Sequence, residues 1–114
     1  MKSTHSILLL DSNEQSALEI QRFLKVSPHS FAFSHVSTVA EGLNFLKNRK
    51  PDLILLDAAM LKERDFSLFK QEKAKENIPV IMLSELNEQD SKRQAEIAGA
   101  VDFMTKKKIN LFHL

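Results

Sequence analysis

The sequence contains no cysteine, which excludes disulfides, thiolate metal sites and cysteine nucleophiles. Glycine occurs only twice, at Gly42 and Gly99, so neither a G-x-G-x-x-G turn nor a Walker A loop can be assembled. Tryptophan and tyrosine are absent, and eight phenylalanines supply all the aromatic rings. Without basic residues interleaved, these rings read as core rather than as stacking platforms for nucleic-acid bases. An excess of one charge is also missing. Sixteen basic against 15 acidic residues leave a formal net charge of +1, which argues against a nucleic-acid or membrane-surface protein held by bulk charge. The apolar run nearest the start, Ile7 to Leu10, is too short for a secretion signal or a membrane span, so a cytoplasmic protein is expected. What is present suits one soluble domain: 114 residues, 43% hydrophobic and 27% charged. A chain of that length can bury roughly two thirds of its unfolded surface.

Segments alternate in type along the chain. Ile7-Leu8-Leu9-Leu10 ends at Asp11, Leu53-Ile54-Leu55-Leu56 ends at Asp57, and Val80-Ile81-Met82-Leu83 ends at Ser84. Short, continuous apolar runs of this kind suit strands buried on both faces. Phe31 to Val36 and Ala100 to Thr105 read as two further strands. Between them, Glu14 to Lys25 carries Ala17, Ile20 and Leu24 at helical spacing with Asn13 as its cap. Thr38 and Glu41 form a capping box ahead of the stripe Val39, Leu43, Leu46. A polar loop, Leu61 to Arg64, leads to a helix from about Asp65 with Phe66 and Phe69 inward. Asn87 to Ala98 is a polar helix with a narrow strip of Ala95 and Ala98, stopped at Gly99. Asn110 starts a last helix that the chain leaves one turn long. The expected fold is therefore a flavodoxin-like, doubly wound, five-stranded parallel α/β sheet of order 2-1-3-4-5. The expected organisation is one domain over 1–114 with a core from about 6 to 106.

Sites in open α/β sheets lie beyond the carboxyl ends of the strands. Asp11, Asp57, Ser84 and Lys106 occupy those ends. Two neighbouring carboxylates repel, and a hard divalent cation relieves the repulsion. A carboxylate can attack a phosphoryl group, and an ammonium and a hydroxyl can then bind the phosphoryl oxygens. The four histidines His5, His29, His35 and His113 lack metal-ligand spacing.

The stretches Ile7-Leu-Leu-Leu-Asp11, Pro51-Asp-Leu-Ile-Leu-Leu-Asp57, Ile78-Pro-Val-Ile-Met-Leu-Ser84 and Ala98-Gly-Ala-Val-Asp-Phe-Met-Thr-Lys106, in this order and spacing, resemble the receiver domain of two-component response regulators. The resemblance implies that Asp57 is the phosphoacceptor and that Asp11, Asp57 and the backbone carbonyl of Ala59 hold Mg²⁺. It implies that Ser84 and Lys106 bind the phosphoryl group and that Phe103 is an aromatic switch. A sensor histidine kinase or phosphotransfer protein would be the donor. An output domain or partner would read the face of the fourth helix and fifth strand, lined by Glu88, Lys92, Arg93, Glu96 and Asp102. Such a chain is a phosphoacceptor rather than a stand-alone enzyme, with at most self-catalysed phosphotransfer and autodephosphorylation.

The chain departs from the family pattern around this site. Ser12 replaces a second acid, and a hydroxyl is a poorer Mg²⁺ ligand than a carboxylate; Glu14 is the candidate to replace it. The loop after Asp57 lacks the usual Pro and Gly. Glu85 stands where the family has a small residue, and Lys107 stands where it has a cis-proline, so a trans bond is expected there. These changes keep a second reading open: a phosphorylation-independent pseudo-receiver acting as a protein–protein interaction module. A flavin-binding protein of the same sheet order would need a Ser/Thr/Gly-rich loop after the first strand, which Asp11-Ser-Asn-Glu does not provide. The short last helix predicts exposed apolar surface on strands one and five, hence an oligomer or a rearranged tail.

Overall fold

The structure is a computed structural model that describes residues 5–106 apart from 27, 29 and 86. Strands and helices alternate along it: β1 (His5–Leu10), α1 (Glu14–Lys25), β2 (Phe31–Val36), α2 (Val39–Asn48), β3 (Leu53–Asp57), a 3-10 helix (Ala58–Lys62), α3 (Phe66–Lys75), β4 (Val80–Ser84), α4 (Glu88–Ala98) and β5 (Asp102–Thr105). The strands form one sheet in the order β2-β1-β3-β4-β5, and every pairing is parallel. This is the expected doubly wound architecture. The expectations that concern Lys107, Asn110 and the last helix lie outside the described residues.

Alternation of side chains along each strand splits the core in two. Leu8, Leu10, Ile54, Leu56, Val80 and Met82 face α2, α3 and α4, where Val39, Phe66, Phe69, Ala95 and Ala98 meet them. Ile7, Leu9, Leu55 and Leu83 face the other way, onto Ala17 and Ile20 of α1. Strands buried on both sides need apolar residues at every position, which is why they read as unbroken apolar runs. Ile7 and Leu9 are buried and Met104 is half-buried. The exposed apolar face expected of strands one and five is therefore not found. Among the described residues, the exposed large apolar ones are instead Leu18, Val26, Leu68, Ile97 and Val101. Among the described residues, no helix is long and apolar enough to cross a membrane.

The helix caps follow the sequence. Asn13 Oδ1 accepts from Ser16 N. Thr38 Oγ1 accepts from Glu41 N, while Glu41 Oε1 accepts from Ser37 N. Asn87 Oδ1 accepts from Asp90 N, and Gly99 ends α4 in the left-handed region at φ 70°, where glycine is favoured. Two expected boundaries shift. The fifth strand starts at Asp102 rather than Ala100, because Ala100 N donates to Ala95 O and finishes the α4 terminus. The loop after Asp57 is not free from Leu61. It winds as the 3-10 helix Ala58–Lys62, and Met60 is fully buried in the core beneath it. Glu63 Oε1 then accepts from Val39 N at 2.8 Å, which ties this loop to the start of α2. A buried peg and a capping bond thus fix a path that carries neither Pro nor Gly.

Gly42 is where the backbone of α2 packs tightly against the core. A Cβ there would stand 2.8 Å from Leu10 Cδ2 and 3.2 Å from Phe69 Cε1, and both neighbours are fully packed. Overpacking costs about 1–3 kcal/mol, against a gain of up to about 1 kcal/mol in helix propensity. Gly42→Ala is expected to lose about 1 kcal/mol in urea unfolding; a raised midpoint would contradict this packing.

Candidate functional site

The parallel register builds the site before any side chain is considered. Leu10 lies opposite Leu56, so the next residues, Asp11 and Asp57, emerge side by side. Asp57 lies opposite Leu83 and Ser84 opposite Thr105, which brings Ser84 and Lys106 to the same edge. Asp11 N donates to Val36 O and so holds Asp11 in the sheet one step past its strand.

The side chains then close on one another. Lys106 Nζ lies 3.0 Å from Asp11 Oδ2 and 3.1 Å from Asp57 Oδ1. Asp11 is wholly buried, whereas Asp57 keeps an edge in solvent. Asp11 Oδ1 accepts from Asn13 N at 3.0 Å, so both of its oxygens are engaged. Ser84 is fully buried at its strand end. An open cleft of about 450 Å³ sits over these groups, lined among others by Asp57, Ala59, Ser84 and Lys106. Four of the five residues expected at the phosphoryl and metal site therefore share one cleft, and Asp11 underlies it. Phe103 does not line it; the ring is half-buried against the core face that packs on α4.

Burial pushes the Asp57 carboxyl above its ordinary range; Lys106 opposes the rise, and Asp11 and Glu85 add to it. Burial by itself would lower Lys106, but its bonds to Asp11 and Asp57 outweigh it and hold the ammonium above its ordinary value. One cation thus serves two carboxylates, with negative charge left over. An all-oxygen donor set with residual negative charge suits Mg²⁺, which binds through one or two carboxylates and completes its shell with carbonyls and water.

One expectation is corrected. Glu14 does not take the place of the missing acid: it opens α1, is exposed, and faces the groove with Phe33 and His35. His35, on β2, reaches the edge of the site, where its Nε2 lies 2.7 Å from the carbonyl oxygen of Asp11. A carbonyl only accepts, so Nε2 carries the proton there. His29 and His113 lie outside the described residues. Gln94 and Lys62 line the cleft as well and were not anticipated. Gln94 was findable. It extends the inward strip of α4, since Ser91, Ala95 and Ala98 are buried and Gln94 lies three residues after Ser91 and four before Ala98.

The charge arrangement has a measurable consequence. Lys106→Met would leave two adjacent buried carboxylates without their cation, at a cost of about 3 kcal/mol. Without Lys106, the Asp57 carboxyl, already raised by burial, would stand further above its ordinary value. A raised carboxyl pKa means that the fold binds the proton more tightly, so stability falls as pH rises through it. The variant's deficit in urea unfolding is expected to be largest near pH 8 and to shrink towards pH 4.5. A deficit independent of pH would contradict the shared-cation geometry.

The model of the response regulator receiver domain matches residues 7–112. The chain is 31% identical over 101 residues to the KDP operon transcriptional regulatory protein KdpE of Escherichia coli, covering 87% of this chain and 44% of that protein. It is 29% identical over 109 residues to a protein-glutamate methylesterase/protein-glutamine glutaminase of Hydrogenovibrio crunogenus, covering 94% of this chain and 29% of that one. The chain thus spans less than half the length of these curated relatives. Among solved structures, the Mn(2+)-bound form of response regulator Rcp1 superposes with a TM-score of 0.73 at 21% identity, over 92% of this chain and 88% of that one. The strand order, the convergent strand ends and these matches agree: the chain belongs to the receiver domain family of two-component response regulators.

Proposed function

We propose that Asp57 accepts a phosphoryl group from the phosphohistidine of a sensor histidine kinase or phosphotransfer protein. The observation that carries this reading is the grouping of Asp57, Asp11 and Lys106 within 3.1 Å contacts under an open cleft. Asp57 is the carboxylate that keeps solvent access, and it lines the cleft itself. One of its oxygens attacks phosphorus; the P–N bond breaks and its electron pair stays on the imidazole nitrogen of the donor.

The carboxylates of Asp11 and Asp57 with the Ala59 carbonyl are the groups that would hold Mg²⁺, which supplies positive charge to the transferring phosphoryl oxygens. Lys106 holds Asp57 in place before transfer and is the cation within reach of the phosphoryl group afterwards. Ser84, at the adjoining strand end, offers a hydroxyl to a phosphoryl oxygen. Phe103 lies three residues before Lys106, packed against the α4 side of the sheet, where a shift at Ser84 would be felt first. Glu88, Lys92, Arg93, Glu96 and Asp102 are all exposed on this side and would present the change to an output domain or partner.

Ser12 and Glu85 favour the second reading, a pseudo-receiver. Both line the cleft; the first lacks a charge that Mg²⁺ would use, and the second adds a charge that opposes phosphate. Intact mass after incubation with Mg²⁺ and a small-molecule phosphodonor separates the two. The parent is expected to gain one phosphoryl group, and Asp57→Asn none. No gain in a folded parent, with its own kinase as donor as well, would leave the interaction-module reading.

A further inference from the structure

The phosphoacceptor reading uses the carboxylate of Asp11 but not its backbone, and the backbone is held in an unusual way. Asp11 N donates to Val36 O at 3.1 Å. A parallel ladder continued one step further would bring the Asp11 carbonyl the N–H of Thr38. However, β2 ends at Val36, and Thr38 turns away to cap α2. A side chain takes the place of that N–H: His35 Nε2 donates to the Asp11 carbonyl oxygen at 2.7 Å. His35 lies opposite Leu9 in the register, so its ring reaches two residues along β1 to the point where the chain leaves the sheet. The edge strand thus grips Asp11 on both sides, at its N–H through Val36 and at its carbonyl through His35. The gripped carbonyl belongs to the peptide that joins Asp11 to Ser12, and Ser12 lines the cleft.

We infer that His35 is a positioning residue for the cation site: by holding the Asp11 carbonyl it fixes the turn that presents the Asp11 carboxylate and Ser12 to a divalent cation. The inference rests on the phosphoacceptor reading of the site. His35 acts through Asp11 and is not itself a ligand. Mg²⁺ demands near-ideal octahedral geometry, and groups that orient metal ligands from behind commonly change metal affinity by about 10- to 100-fold. With a serine in place of the second acid, fewer charges hold the cation, and the placement of the remaining carboxylate counts for more. The other anchors of Asp11 do not fix the turn. Asn13 N, which donates to Asp11 Oδ1, belongs to the same turn and moves with it. Lys106 holds Oδ2 but is shared with Asp57.

The test compares Mg²⁺ binding by the parent, His35→Phe and His35→Gln, read from the carbon-13 shift of the Asp57 carboxyl, with the urea midpoint of each metal-free protein alongside. His35→Phe keeps a ring but loses the donor, and its Mg²⁺ dissociation constant is expected to rise about tenfold. His35→Gln carries an amide N–H at the same reach and is expected to stay within about threefold of the parent. A role in packing alone would move the urea midpoints and leave Mg²⁺ affinity unchanged. Parental affinity in His35→Phe would overturn this inference alone, and so would a His35→Gln as weak as His35→Phe. A parent that binds no Mg²⁺ would overturn the metal-assisted phosphoacceptor reading and this inference with it. Should His35→Phe fail to fold, nitrogen-15 NMR of the parent imidazole decides. A proton on Nε2 is expected, with His35 ring signals that move over the same Mg²⁺ range as the Asp57 carboxyl; a proton on Nδ1 alone, or ring signals that ignore bound Mg²⁺, would overturn the inference.

Discussion

Two carboxylates side by side at a sheet edge repel, and in this chain one ammonium holds them together. Lys106 reaches across from the end of β5 to Asp11 and Asp57 at 3.0 and 3.1 Å. The three groups come from β1, β3 and β5 and are separated by up to 95 residues. The bridge is possible only while β4 lies between β3 and β5 in register. That register depends in turn on both faces of the sheet being covered, since a one-residue slip would exchange the two apolar sets. The energetics of the fold and the placement of the charges are therefore one constraint. Burial lifts the Asp57 carboxyl above its ordinary range against the pull of Lys106, and Asp11 and Glu85 add to the rise.

Around this core the chain has rebuilt its loops with its own residues. Met60 anchors the turn after Asp57 from below, and Glu63 caps α2 from the far end of the same loop. His35 grips the carbonyl of Asp11, steadying the loop in which a serine stands for the second acid. On α3, Lys70 and Lys73 donate to the carbonyls of Ile97 and Gly99. They supply to the end of α4 the positive charge that its own last turn lacks, where the helix dipole favours it. The helix behind Ser84 is thus tied to the helix that follows Asp57.

Much of this was legible in the sequence because it is local. Apolar runs that stop at Asp11, Asp57 and Ser84 announce both a parallel sheet and the polar groups gathered at its edge. Asn13, Thr38 with Glu41, Asn87 and Gly99 mark helix ends through bonds spanning only a few residues. What was not legible depends on contacts distant in sequence. The pairing of His35 with Asp11 spans 24 residues, and no periodicity announces it. Glu14 was a reasonable stand-in ligand by proximity in sequence, yet the first turn of α1 points it toward β2. Met60 reads as part of a connection until the core beneath it is seen. Gln94 sits between the two readings: its spacing from Ser91 and Ala98 puts it on the inward strip, but its polarity disguises this.

The most direct measurement is a carbon-13 NMR titration of the aspartate carboxyl carbons, with and without Mg²⁺. The account predicts that Asp57 titrates above the ordinary carboxylate range in the metal-free protein and that millimolar Mg²⁺ moves its titration downward, because a cation at the site favours the ionised form. An Asp57 that titrates at the ordinary value and ignores Mg²⁺ would contradict the claim that these residues form a charged, cation-seeking phosphoacceptor site.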